Sequence, residues 1–378
     1  MNNKNIKKFD LYVFLSTFAR NLIEIFIPLI LYKNGYNIKE VIIYYFVANF
    51  FSLIISYPCL KFVQKMGYKA LSIVGIIAFS IMQLMLKNIS YSMTYLVTLS
   101  FMFALYRRGY WFPRRYYNLT VIGEKDISLS YTIICIINQL GVIIATYIGA
   151  ILLDFINMEL LTTISITLFI ISIIPLNSLE IKKKEKDVKK ELLKEIKKIP
   201  FKDFYFFGAY SIHDVTKFLF RLYLAVYVKD TYQTVGLFNL CTSLATLIFA
   251  YSYGKKINNK KNFLCLSTIL LILIYILKVN STTYWLILIS FIEGLVTKMY
   301  EISMNNDFYK LSKKFDYEIY NFIYEITQNL SRTVMLFALL LIPLNLKAMI
   351  YITLIFIAIG IGLDFDYLDK ESRKLRRN

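Results

Sequence analysis

The chain has 378 residues, 57% of them hydrophobic and 18% charged, with a formal net charge of +19 at pH 7. Its mean hydropathy is +0.54. A soluble domain does not combine these values, and no basic segment is interleaved with stacking aromatics as a nucleic-acid surface would be, so nucleic acid is excluded as a partner and a lipid bilayer is the expected medium.

Apolar runs of roughly 20 residues, the length that crosses a bilayer, fall at 11–32, 40–60, 70–87, 93–117, 128–153 and 160–178 in the first half. In the second they fall at 203–227, 233–253, 262–279, 283–305, 319–342 and 347–364. Twelve transmembrane helices in an all-α membrane protein are therefore predicted.

With the N-terminus in the cytoplasm, the inner links, including 61–69, 114–127, 180–202 and 365–378, hold 31 of the 44 Lys and Arg. The outer links hold only Lys33, Lys39, Lys87, Lys229, Lys278 and Lys347. A cationic side chain resists translocation, so both termini are expected to be cytoplasmic. Lys4, Lys7 and Lys8 imitate the start of a signal peptide, but Arg20 and Glu24 interrupt the run behind them and no small-residue cleavage site follows. Cys59, Cys135, Cys241 and Cys265 lie in or beside spans without CxxC spacing, which argues against disulfides and a thiolate metal site. No cofactor is expected. High Ile, Lys, Asn and Tyr with little Gly or Pro resemble AT-rich bacterial coding, which places the chain in a bacterial plasma membrane.

Residues 180–200 are the long polar stretch and divide the spans six and six. Val188, Leu192, Ile196 and Ile199 recur at helical spacing among lysines, as in an amphipathic helix on the inner leaflet or a solvated charged helix. The two halves, 1–179 and 201–378, look related. A shift of 194 pairs Val41 with Val235, Tyr57 with Tyr251 and Lys61 with Lys255. A shift of 190 pairs Ser100 with Ser290, Arg108 with Lys298, Tyr110 with Tyr300, and Asn138 and Gln139 with Gln328 and Asn329. Apolar matches are cheap in such a sequence, so the polar ones carry the inference of an internal duplication, a mark of transporters.

On these features the chain resembles the major facilitator superfamily along essentially its whole length. That family's loop after the second span, G-x-x-x-D-R-x-G-R-R, has a degraded counterpart at Leu60–Lys69, which keeps Lys65, Gly67 and Lys69 and carries Gln64 in place of the acid. The repeat places Gly254–Asn262 at the equivalent loop, with Gly254 kept and Asn258 at the acidic position. These residues are the gating loops the resemblance implies. In the fifth span, Gly141, Ala145, Thr146, Gly149 and Ala150 stand in register with the antiporter motif G-x-x-x-G-P-x-x-G-G, a weak lean towards export, although small residues also serve plain helix packing. The resemblance implies two pseudo-symmetric six-helix bundles and a secondary active transporter of a small organic solute, monomeric and not an enzyme.

The spans contain the bases Arg20, Arg107, Arg108, Lys217, Arg221, Lys298 and Arg332 and the acids Glu24, Asp214, Glu293, Glu301 and Glu325. Each costs a few kcal/mol against lipid, so they are expected to face the bundle interior or a wet cavity. Helix spacing pairs Arg20 with Glu24, Asp214 with Lys217 and Lys298 with Glu301. In the arrangement the resemblance implies, the first, fourth, seventh and tenth spans line the cavity. A substrate-binding set of Arg20, Glu24, Arg107, Arg108, Trp111, Asn138, Gln139, Asp214, Lys217, Arg221, Lys298, Glu301, Gln328 and Asn329 follows. Its surplus positive charge suits a substrate bearing carboxylate or phosphate.

Protons are the expected coupling partner, with Glu24 and Glu325, the latter beside Arg332, as the exchanging carboxylates. No G-x-x-x-x-G-K-[ST] phosphate loop supports ATP coupling. Four alternatives stay open at this level. Arg107 and Arg108 are cytoplasmic anchors if their span ends near 106, and Trp111 either stacks on substrate or belts the interface. His213 relays protons or packs by hydrogen bonding. The chain as a whole could be a transport-inactive sensor or structural protein, or a polytopic membrane transferase, though a single His and short outer links disfavour the last.

Overall fold

The computed structural model describes residues 3–121, 127–179, 196, 201–227, 232–253, 260–312, 316–342 and 345–375, in which the regular structure is helical. The linker 180–200, with the exception of Ile196, and the loop positions Gly254 and Asn258 lie outside the described residues.

Each of the twelve predicted segments is helical. The first becomes α1 (Asn3–Asn21), a 3-10 turn (Glu24–Phe26) and α2 (Ile27–Lys33). The second becomes α3 (Ile38–Ile54) and α4 (Ser56–Met66), bent by 49°. Then come α5 (Tyr68–Lys87), α6 (Met93–Val121), α7 (Ile127–Ile151) with a π turn to Ile156, α8 (Met158–Ile171) and α9 (Ile173–Asn177). The second half holds α10 (Phe201–Tyr227), α11 (Tyr232–Tyr253), α12 (Lys260–Asn280), α13 (Thr283–Ser312), α14 (Tyr317–Leu341) and α15 (Leu346–Leu375).

Proline explains the breaks. Pro28 at the start of α2 and Pro58 near the start of α4 each lack the N–H that would continue the helix before them, so the axis turns there. The first break places Glu24 on an irregular turn rather than on a helix flank. Among the described residues six helices are long and apolar enough to cross a membrane, or seven with the bent pair. Helices α6, α10, α13 and α14 carry most of the buried charges, and the apolar part of α15 is short, Leu346–Gly360.

Packing within the first half runs through α5 with α6, α3 with α6, and α1 with α7 and α8. Within the second it runs through α11 with α13, α12 with α13, and α10 with α14 and α15. Between halves, α7 packs on α11 and α3 on α14, with α2 against α10 and α6 against α14 flanking them. Small residues permit the closest approaches. A Cβ on Gly109 would come within 2.4 Å of the Gly75 Cα, so α5 and α6 meet backbone to backbone. The stripe on α7 is explained in the same way: Gly141 faces the Phe14 carbonyl, Gly149 the Leu22 carbonyl, and Ala150 and Thr146 face Gly236 of α11. Gly67 joins α4 to α5 at φ 89°, a conformation glycine adopts without penalty, and nothing lies within 4 Å of its missing side chain. Lys69 beyond it donates to the Asn177 carbonyl at 2.8 Å.

The Gly75–Gly109 crossing sets the height and rotation of α6, the helix that carries the densest run of arginines. Gly109→Ala is expected to lower the stability of the detergent-purified protein by about 1–3 kcal/mol, the usual cost of overpacking, read as an earlier thermal unfolding transition. An unchanged transition would show that the two helices are not in backbone contact.

Candidate functional site

A cavity of about 500 Å³ lies between the halves. All sixteen side chains expected above to bind substrate or couple protons, from Arg20 to Arg332, line it. It also admits four ionisable groups that the sequence reading placed elsewhere or passed over: Arg114, Arg115, Lys278 and Glu293. The cavity wall thus carries ten cationic side chains and five carboxylates.

Two corrections follow. Arg114 and Arg115 were expected in a cytoplasmic link, but α6 continues through Pro113 to Val121 and carries both into the wall. Lys278 was expected in an outer link, yet it is buried against Glu293 at 2.5 Å, with the Tyr275 hydroxyl donating to the same carboxylate at 2.7 Å. A long stem lets an ammonium near a helix end turn inward towards an acid instead of outward to water.

Every carboxylate in the wall is held by a base. Glu24 lies 3.6 Å from Arg20, as helix spacing predicted, and accepts from the Tyr106 hydroxyl at 2.9 Å. Lys298 and Glu301 pair at 3.2 Å, also as predicted, with Lys217 at 4.0 Å from the same acid. The expected pairing of Asp214 with Lys217 gives way to Arg332 of α14 at 2.5 Å. That removes Arg332 from Glu325, the partner expected for it. Glu325 instead joins the halves: one oxygen takes Arg108 Nη1 at 2.9 Å and the other takes Arg115, both on α6. Helical spacing sees only one helix, whereas these two pairs are made between helices.

Arg108 also donates to the Ser52 carbonyl and the Ser56 hydroxyl, and Arg107 to Asn49 Oδ1 at 3.2 Å. With Tyr45, these residues recur at spacings of four, three and four along α3 and into the first residue of α4, a polar face that would have identified them from the sequence. Arg107 and Arg108 therefore face the cavity and α3 in the protein interior. Trp111 lines the cavity with the guanidiniums of Arg20 and Arg114 at 4.9 and 5.4 Å from its ring, cation–π distances that place it in the site and away from an interfacial belt. The duplicated amides diverge: Asn138 accepts from Arg114 at 2.7 Å and from Thr17 at 2.9 Å, whereas Asn329 bonds its own helix at the Glu325 carbonyl. His213 lies outside this cavity, buried between the rings of Tyr275 and Tyr300, a packing position without a hydrogen bond at Nε2.

Both ends of the cavity are bridged across the halves. At the end where α6 finishes and α14 starts, the Glu325 pairs are joined by Asn321 Nδ2 donating to the Phe112 carbonyl at 3.2 Å and Tyr317 donating to the Arg115 carbonyl at 2.6 Å. At the other end, Asp154 accepts from the backbone N–H groups of Tyr232 and Gln233, capping α11 from the opposite half, and Lys33 lies 3.8 Å from the Tyr232 ring centre.

The first of these bridges repeats. The shift of 190 that relates Arg108 to Lys298 also relates Glu325 to Cys135, and Cys135 makes a hydrogen-bonding contact with Lys298 across the α7–α13 junction. Arg108–Glu325 and Lys298–Cys135 are the same contact made twice, with an acid in one copy and a thiol in the other.

The profile of the Major Facilitator Superfamily matches residues 10–334. No curated protein matches the chain in sequence. Among solved structures it is similar to a bacterial homologue of the iron transporter ferroportin in an outward-facing state, at TM-score 0.68 and 11% identity over 97% of this chain and 99% of that one. It is also similar to the human organic anion transporter MFSD10, at TM-score 0.66 and 10% identity over 96% and 100% of the two chains.

Removing one member of a buried pair strands its partner, while removing both does not. Lys278→Met is expected to cost about 3–5 kcal/mol of stability, and Lys278→Met with Glu293→Leu to recover most of it, as measured by unfolding in detergent. Equal losses in the single and double variants would mean that the pair does not exist.

Proposed function

Because the chain belongs to the major facilitator superfamily, whose members are integral membrane transporters rather than enzymes, we propose that it moves a small organic anion across a bacterial plasma membrane by alternating access coupled to protons. The observation that carries this reading is the charge of the cavity, ten cationic groups against five carboxylates that are each already held by a base. A cationic solute or a divalent metal would find no carboxylate without a competitor. The name of the human structural neighbour, an organic anion transporter, points the same way.

In this reading all twelve helical segments span the bilayer, with both termini in the cytoplasm, as the lysine and arginine bias requires. Residues 1–179 and 201–378 form the two rocking bundles of a monomer, joined by the 180–200 linker. The cytoplasmic gate is the Glu325 bridge to Arg108 and Arg115, with Lys65, Gly67, Gly254 and Asn258 as the gating-loop residues that the family resemblance implies. The outer gate is the Asp154 cap on α11 with Lys33 and Tyr232. Opening either end breaks only the contacts of that end, and this permits access from one side at a time.

Glu24 is the stronger proton carrier of the two carboxylates considered. It is held by one guanidinium and one hydroxyl, and its side chain is 23% exposed against 9% for Glu325. Antiport follows if substrate and proton compete for Glu24. Export is the direction that the α7 resemblance favours.

Reconstitution into vesicles under an imposed proton gradient tests the reading. Arg108→Gln or Lys298→Gln is expected to reduce anion flux at least about tenfold, the worth of one charge-assisted hydrogen bond, at unchanged membrane abundance. Glu24→Gln is expected to abolish gradient-driven flux while sparing anion exchange. Full flux in the two cation variants would overturn the anionic cavity. Anion binding without flux in the wild type would identify a sensor instead.

A further inference from the structure

Most of the ten cations in the cavity wall are already engaged. Arg20, Arg108, Arg115, Lys217, Lys278, Lys298 and Arg332 each face a carboxylate, and Arg114 is committed to Thr17, Tyr110 and Asn138. Of the rest, Arg107 on α6 and Arg221 on α10 make no direct ion pair with a carboxylate among the described residues. Arg107 has one neutral hydrogen-bond acceptor, Asn49 Oδ1, and lies 5.6 Å from the Phe103 ring centre. Both act electrostatically on the hydroxyl of Tyr45, whose ring packs at 4.0 Å on that of Phe218. Asn49 stands one turn from Tyr45 on α3 and Arg221 one turn from Phe218 on α10, so the two guanidiniums approach the Tyr45–Phe218 contact from opposite halves of the chain.

Resting on the anionic reading above, we infer that the substrate is a small organic dianion, with two carboxylates or a phosphate monoester, whose two charges are taken by Arg107 from one half and Arg221 from the other. Two guanidiniums outside any ion pair among the described residues favour a substrate with two charges. A monoanion would leave one guanidinium uncompensated in a cavity of low dielectric, while a dianion neutralises both through forked hydrogen bonds. The volume of about 500 Å³ suits a small organic molecule, and Tyr45, Phe103 and Phe218 offer its carbon body an aromatic wall. Because the guanidiniums belong to different halves, a bridging dianion contacts both only while the halves are close. It therefore stabilises the doubly bridged form, which gives binding a differential grip on conformation.

The test uses the full chain in detergent and three ligands that share a benzene ring: benzoate, phthalate and phenyl phosphate. Apparent affinities are read from thermal shift titrations. Wild type is expected to bind phthalate or phenyl phosphate about tenfold to a hundredfold more tightly than benzoate, the worth of one further charge-assisted pair. Whichever dianion gains identifies the acid group. Arg107→Gln and Arg221→Gln are each expected to erase that ratio, leaving dianion and benzoate alike, while Lys39→Gln outside the cavity retains it. Equal binding of benzoate and both dianions by wild type, or a ratio that survives in Arg107→Gln/Arg221→Gln, overturns the bridge but leaves an anion carrier standing. Absence of a shift with all three, alongside binding of benzylamine, overturns the bridge and the anionic reading together.

Discussion

A charge cannot be left in hydrocarbon, and that constraint organises the whole molecule. Each ionised side chain within a span costs about 2.5–3.5 kcal/mol if it faces lipid, and the first half and the second both carry several. All of them converge on one cavity between the halves, where the five carboxylates meet bases and the surplus is cationic. The outer faces of the same helices are left to Leu, Ile, Phe and Tyr, many of them more than 40% exposed, as a lipid-facing surface should be.

The repeat read in the sequence has a counterpart in the cavity. Arg108 and Lys298, which a shift of 190 relates, both line it. The same relation turns one cross-half contact into two, and the copies have drifted apart chemically. Glu325 is a charged partner that two arginines share, while its counterpart Cys135 is a neutral thiol. Only one arm of the pair can respond to charge. The ionic contact of Glu325 is set among neutral ones donated by Asn321 and Tyr317.

Much of this was legible before any coordinates. Apolar segment length located the helical segments, and the cost of buried charge together with the repeated amides and Trp111 identified sixteen residues that do share a cavity. What failed has physical causes. Pro113 followed by Arg114 and Arg115 reads as the end of a span, but proline bends a helix that its neighbours hold in place, and the arginines then find Glu325 and Asn138 rather than water. Lys278 reads as an interfacial lysine because its acid, Glu293, sits on the next helix. Spacing within one helix recovered Arg20–Glu24 and Lys298–Glu301 but could not see Asp214–Arg332 or Glu325–Arg108, whose partners are distant in sequence. The supporting residues Asn49 and Ser52 on α3 and Ser56 at the start of α4 were visible as a polar stripe and needed only to be weighed as one face.

The central claim is that two halves rock about a shared charged cavity whose ends open in turn. Electron-electron distance measurements test it most directly, with spin labels at Met66 and Tyr317 for one end and at Lys33 and Gln233 for the other, in a chain with its four cysteines replaced by serine. The account requires that adding a transported anion or changing pH lengthens one distance as the other shortens. Two distances that stay fixed, or that grow and shrink together, would contradict it.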